Sequence, residues 1–134
     1  MEIDEALYAY LISQSGLTAL IDRRLYPDER PQSSNLPAVS YIYISDVKDH
    51  TLTAQQKLES PMIQFTSYAS SRAGARAVSN QVKAALADYN GTLSGLEVQY
   101  MKLVNELPST ERNADGTVLV RTVDQEYEIN FVKE

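Results

Sequence analysis

Several residue groups have the types and spacing to do chemistry. Asp46, Asp49 and His50 form a compact cluster of ionisable side chains, and such a trio can hold a hard cation or move a proton. They fall where a strand end enters a polar loop, and there solvated charge is the ordinary role. Glu126 and Glu128 stand two apart on a strand, so their carboxylates share one face at about 6–7 Å, a spacing open to glycoside hydrolysis. Their alternation with Tyr127 and Ile129 marks instead the solvated face of an amphipathic strand. The segment Ser71-Arg72-Ala73-Gly74-Ala75-Arg76 suggests a phosphate cradle, yet no glycine-rich turn follows a strand and no Gly-Lys-Ser/Thr ending is present. Gly74 therefore reads as a close-packing position. A serine hydrolase is disfavoured, because the single histidine has no Gly-x-Ser-x-Gly elbow to serve. Asn90-Gly91-Thr92 matches the glycosylation acceptor pattern but, with no secretory signal, reads as a helix stop.

Composition narrows the chemistry further. The 134 residues include 12 Lys+Arg and 18 Asp+Glu, a net charge of −6, with one His, no Cys and no Trp. Without cysteine there is no disulfide, thiol nucleophile, zinc ribbon or iron–sulfur site, and one imidazole cannot supply the pairs that most transition-metal sites use. Only oxygen-ligand metals stay open. An isoelectric point near 4.8 and scattered basic residues argue against sequence-specific nucleic-acid binding and against an anionic membrane surface. The acidic start, Met1-Glu2-Ile3-Asp4-Glu5, does not look like a secretory signal, and no apolar run approaches a membrane span. The expectation is a cytoplasmic protein of one domain, residues 1–134.

The elements that must position these residues follow from periodicity. Ile3, Leu7, Tyr10 and Leu11 recur at helical spacing behind acidic Glu2, Asp4 and Glu5, and Gly16 is expected to stop that helix. Leu17 to Asp22 reads as a short second helix, followed by a proline-bearing polar excursion from Pro27 to Pro37. Ala38 to about Val47 is a strand rich in β-branched and aromatic residues, expected to be central in the sheet or covered on both sides, one side by helices, with Tyr41 and Tyr43 on one face and Ile42 and Ile44 on the other. A second strand runs from about Pro61 to Tyr68. Between these strands, Lys48 to Ser60 is polar and lacks glycine, which predicts a long flexible loop.

Ser70 or Ser71 can cap the next helix, whose stripe of Ala73, Ala77, Val78, Val82, Ala85, Leu86 and Tyr89 ends at Asn90-Gly91. Two more strands alternate Leu96, Val98, Tyr100 and Tyr127, Ile129, Phe131, with Pro108 to Gly116 as a second long polar loop. The sum is an α+β domain: a largely antiparallel sheet of about four strands, with an N-terminal helix pair and one longer helix on one face. Nine tyrosines against two phenylalanines suit either a hydrated core rim or a partner interface.

In order along the chain, Glu5-Ala-Leu-Tyr-Ala-Tyr-Leu11, Gly16-Leu-Thr-Ala-Leu-Ile21, Arg24-Leu-Tyr-Pro27 and Leu36-Pro-Ala-Val-Ser-Tyr-Ile-Tyr-Ile-Ser45 are followed by Ile63-Gln-Phe-Thr-Ser-Tyr-Ala69, Val82-Lys-Ala-Ala-Leu86 and Tyr127-Glu-Ile-Asn-Phe131. This run resembles the tail-completion family of long-tailed bacteriophages and prophages, over nearly the whole chain. The resemblance implies a structural α+β protein that joins tail to head, with the head connector or adaptor and the tail-tube protein as partners. It further implies a ring around the DNA passage, sixfold to match the tail, even from subunits that are monomeric when isolated. No catalytic residue or cofactor is implied. The location that follows is the virion neck or tail, after assembly in the host cytoplasm.

Partner contact then falls to the two polar loops, which can order on contact. Their polar residues are Lys48, Asp49, His50, Thr51, Gln55, Gln56, Lys57 and Glu59 in the first, and Ser109, Glu111, Arg112, Asn113 and Asp115 in the second. An acidic lumen wall would also let DNA slide. The competing readings are a tail terminator or other neck-ring protein that caps the tube, and a small carboxylate enzyme, which would need a pocket with converging acids.

Overall fold

A computed structural model describes residues 3–28, 36–48, 58–112 and 118–132. In chain order the elements are α1 (Ile3–Ile12), α2 (Ser15–Ile21), β1 (Leu25–Pro27), β2 (Ala38–Lys48), β3 (Leu58–Ala69), α3 (Arg72–Leu86), β4 (Gly91–Leu93), β5 (Leu96–Arg112) and β6 (Val118–Val132). The strands form one sheet in the order β1-β2-β3-β6-β5-β4. All neighbours are antiparallel except β1, which runs parallel to β2 through Leu25↔Val39 and Tyr26↔Ser40.

The mixed α+β class is as expected, with six strands in place of about four. The two extra strands, β1 and β4, have only three residues each, too short to show a period.

One face of the sheet meets the helices. Ile63 and Phe65 of β3 and Tyr127, Ile129 and Phe131 of β6 point into a single buried cluster with Leu7 and Leu11 of α1, Leu17 and Ile21 of α2, and Val78, Val82 and Leu86 of α3. Period-two rows in the strands thus meet period-3.6 stripes in the helices. Aromatic contacts tie the centre together: Phe65 sits edge-on to Tyr127 at 5.7 Å and tilted to Tyr41 at 5.8 Å. Ser71 caps α3, its Oγ accepting from the Gly74 N–H at 3.0 Å. Gly74 is a packing position, since a Cβ there would stand 3.1 Å from both the Ala69 Cβ and the Ser71 Oγ.

Several local expectations need correction, among them the end of α3, which falls at Leu86 with Ala87 as its cap and not at Asn90-Gly91. Gly16 does not stop α1; it lies inside α2, and the break falls at Ser13 and Gln14, whose backbone N–H groups turn back to Tyr10 and Leu11 carbonyls. Strand β2 is interior to the sheet, between β1 and β3, as one of the two expectations had it, but it is not covered on both faces: Tyr41 is buried, while Ile42, Tyr43 and Ile44 are each about 40% exposed. A bulge between Tyr43 and Ser45 breaks the alternation, and α3 packs on β3 and β6 instead of β2.

The stretch from Pro108 to Arg112 is strand, paired through Pro108↔Val123, Ser109↔Thr122 and Thr110↔Arg121. Proline is tolerated there because no described strand pairs with the outer edge of β5 beyond Val98. The first loop is likewise shorter than expected, because Lys48 closes β2 and Leu58, Glu59 and Ser60 open β3. Among the described residues no helix is long and apolar enough to cross a membrane.

Candidate functional site

The residues singled out by spacing are distributed by the topology as follows. Asp49, His50, Thr51, Gln55, Gln56, Lys57, Asn113 and Asp115 lie outside the described residues. Lys48 and Glu59 are cross-strand partners at the ends of β2 and β3. Ser109, Glu111 and Arg112 are strand residues of β5, facing Thr122, Val120 and Val118 in register. Asp46 is part of β2, opposite Pro61. The described residues hold no group of three or more His, Cys, Asp or Glu able to bind a metal.

Register also determines where the two connections emerge. Strand β6 pairs Val132 with Leu58 and Arg121 with Ala69 of β3, and pairs Val132 with Glu97 and Val118 with Arg112 of β5. The β2–β3 connection therefore leaves the sheet at the Val132 end of β6, and the β5–β6 connection leaves it at the Val118 end. Fifteen residues of strand separate the two, about 45–50 Å along the chain at 3.2–3.4 Å per residue. The two segments proposed from sequence as contact loops are thus carried at opposite ends of one sheet.

Glu126 and Glu128 lie on the face away from the helices, in one half-buried row with Asp124. Asp124 Oδ1 accepts from Thr66 Oγ1 at 2.9 Å, and Glu128 Oε1 accepts from the Tyr100 hydroxyl at 3.1 Å. Glu128 also faces Lys102 across the ladder. These are the polar cross-strand pairs of a sheet surface.

The tyrosines divide between core and surface. Tyr127 is fully buried, and its hydroxyl donates to Gln125 Oε1 at 3.2 Å while Gln125 Nε2 donates to the Ser79 carbonyl of α3 at 3.2 Å. Burial pushes the Tyr127 phenol upward, helped by the charge of Glu106. Burial likewise pushes Tyr41 up to about 12, with further contributions from Asp4, Tyr8, Asp28 and Glu5. Tyr10 donates to the Ala85 carbonyl at 2.8 Å and stacks tilted on Tyr89 at 5.0 Å, joining α1 to the end of α3. Tyr100 does not continue the row of Leu96 and Val98: a register shift between Val98 and Tyr100 puts Met101 in the core and leaves Tyr100 on the surface at 40% exposure. The buried Gln125 was missed from sequence, although its place in the row Val123, Gln125, Tyr127, Ile129 marks it as facing inward.

Fold and surface together define an α+β domain built around one six-stranded sheet. The family model described as "Tail completion protein gp17" matches residues 5–128, and the chain belongs to that family, a structural family of phage tails. A chain from the solved virion of a native gene transfer agent particle has the same fold, with a TM-score of 0.69, 16% identity and 98% of each chain covered. A second solved chain aligns at a TM-score of 0.52 and 11% identity, again over 98% of each. No curated protein matches.

Proposed function

We propose that this chain completes the phage tail and joins it to the head, contacting the head connector or adaptor on one side and the tail-tube protein on the other. The observation that carries this reading is the emergence of the β2–β3 and β5–β6 connections at opposite ends of one sheet. A subunit that bridges two structures needs a contact at each end, and a paired sheet supplies a stiff spacer between them. Subunits assemble in the host cytoplasm and close into a sixfold ring in the virion neck, around the DNA passage. The helix-free face, with Asp124, Glu126 and Glu128 in one row, is the wall turned to the DNA, where like charge keeps the phosphate backbone from sticking.

Partner contacts are made by Lys48, Asp49, His50, Thr51, Gln55, Gln56, Lys57 and Glu59 at one end. At the other end they are made by Ser109, Glu111, Arg112, Asn113 and Asp115. Separate deletions test this in the encoding phage. Removing residues 51–56 and removing residues 113–116 should each leave the subunit folded and each break a different junction, one leaving it on heads and the other on tails. Loss of the same junction in both, or of neither, would overturn the reading.

A further inference from the structure

At the Val118 end of β6, the first turns of α3 and the adjoining strands β5 and β6 enclose a cleft of about 130 Å³. Three of the chain's seven arginines line it: Arg72, Arg76 and Arg121. Arg72 and Arg76 are one turn apart and share a face of α3. Arg121 joins them from the inward row of β6, where its Nη1 donates to Thr110 Oγ1 at 3.0 Å. The hydroxyl residues Ser109, Thr110 and Thr122 add polar atoms, over buried Ala75 and Val123. Among the described residues no Asp or Glu lines the cleft and none of the three arginines makes an ion pair.

This arrangement is unfavourable for an empty protein surface in two ways. Like charges one helical turn apart repel. Arg72 is also the first residue of a 15-residue helix with no acidic residue in its first turn, where the macrodipole favours an anion. An oxyanion in the cleft reverses the sign of both effects, and the planar forks of guanidinium groups suit the two oxygens of a carboxylate.

We propose that this cleft binds a carboxylate side chain from an acidic segment of a neighbouring protein. Its volume admits one side chain, not a continuous run of phosphates, and it opens on the helix side of the sheet, away from the acidic row of Asp124, Glu126 and Glu128. The chain's charge of −6 further disfavours duplex DNA as the occupant. The inference rests on the cleft itself and stands whichever junction of the virion the chain occupies.

The test uses the full chain with three probes: a blocked tetraglutamate peptide, inorganic phosphate and a 20-base-pair duplex. The peptide should shift the side-chain Nε–H resonances of Arg72, Arg76 and Arg121. The double variant Arg72→Gln/Arg76→Gln should bind it at least tenfold more weakly while keeping its melting temperature, and Lys83→Gln, at the other end of α3, should bind it normally. Absent shifts at the arginines, or unchanged affinity in the double variant, would overturn the proposal. Phosphate binding as tightly as the peptide would show a bare anion site and overturn the assignment to a protein segment, and tighter binding of the duplex at the same arginines would do so in favour of nucleic acid.

Discussion

Replacing Gln125 by Leu should destabilise the protein through a polar group it leaves behind, and replacing Tyr127 by Phe at the same time should cancel most of that effect. Gln125 and Tyr127 are both fully buried, and their hydrogen bond lies in the centre of the core. Gln125→Leu keeps nearly the same volume but strands the Tyr127 hydroxyl, which costs about 1–3 kcal/mol for an unsatisfied buried donor. The Ser79 carbonyl loses its bond from Nε2 as well, but it is in mid-helix and keeps its α-helical partner, so this adds less. Tyr127→Phe alone strands Gln125 Oε1, at a similar cost of about 1–3 kcal/mol. The double variant has neither stranded atom. It should lie within about 1 kcal/mol of the parent, well short of the sum of the two single losses, and the shortfall is the coupling between the two side chains. At this chain length each kcal/mol moves Tm by about 3–5 °C, so thermal melts and urea titrations of the four proteins resolve the cycle. Additive losses in the double variant, or a single Gln125→Leu variant as stable as the parent, would refute the relay.

Other consequences can be checked on the same preparation. Ser71→Ala removes the oxygen that accepts from the Gly74 N–H and should lower stability by about 1 kcal/mol, read by urea titration, with Ser71→Asp restoring it. At high pH the buried phenols matter: Tyr41 keeps its proton in the folded state to about 12 but loses it near 10 when unfolded. The folded state then binds more protons over that interval, so stability should be constant below about pH 10 and fall as pH rises toward 12, with a shallower fall in Tyr41→Phe, followed by unfolding at fixed pH. His50→Ala should leave head-to-tail joining intact in a plating assay, since the reading assigns His50 contact and no chemistry.

Much of the fold was legible because its core elements are long enough to show a period. The alternation of Ile63 and Phe65, and of Tyr127, Ile129 and Phe131, identified the inward faces of β3 and β6, and the stripe through Val78, Val82, Ala85 and Leu86 identified the buried face of α3, although Ala73 and Ala77, read as part of it, are exposed. What escaped was structure set by partners distant in sequence. Leu25 to Pro27 is a strand only because Val39 to Tyr41 lies beside it. Pro108 to Arg112 has the composition of a loop, yet β6 holds it in register while its other edge makes no demand for an amide hydrogen. Tyr43 shares the face of buried Tyr41 and stands opposite Ile63, and its exposure follows from helices that pack over β3 and β6 instead of β2, a placement no residue type announces.

The candidate site was legible in part. The two polar segments fall between strands that pair, but strand takes up part of each, and their placement at opposite ends follows from the strand order β3-β6-β5, which periodicity does not contain. The arginine cleft shows the same limit: Arg72 and Arg76 are visibly one turn apart, whereas Arg121 joins them only through the pairing of β6 with β3 and β5. Resemblance over the whole chain led to the tail family, and the match over residues 5–128 bears that out.

The central claim, that this chain joins tail to head, is tested most directly by electron microscopy of particles made without it. Filled heads beside separate tails of normal length, restored to whole virions by supplying the chain, are the predicted result. Tails of irregular length would point to a terminator, and intact joined virions would contradict the account.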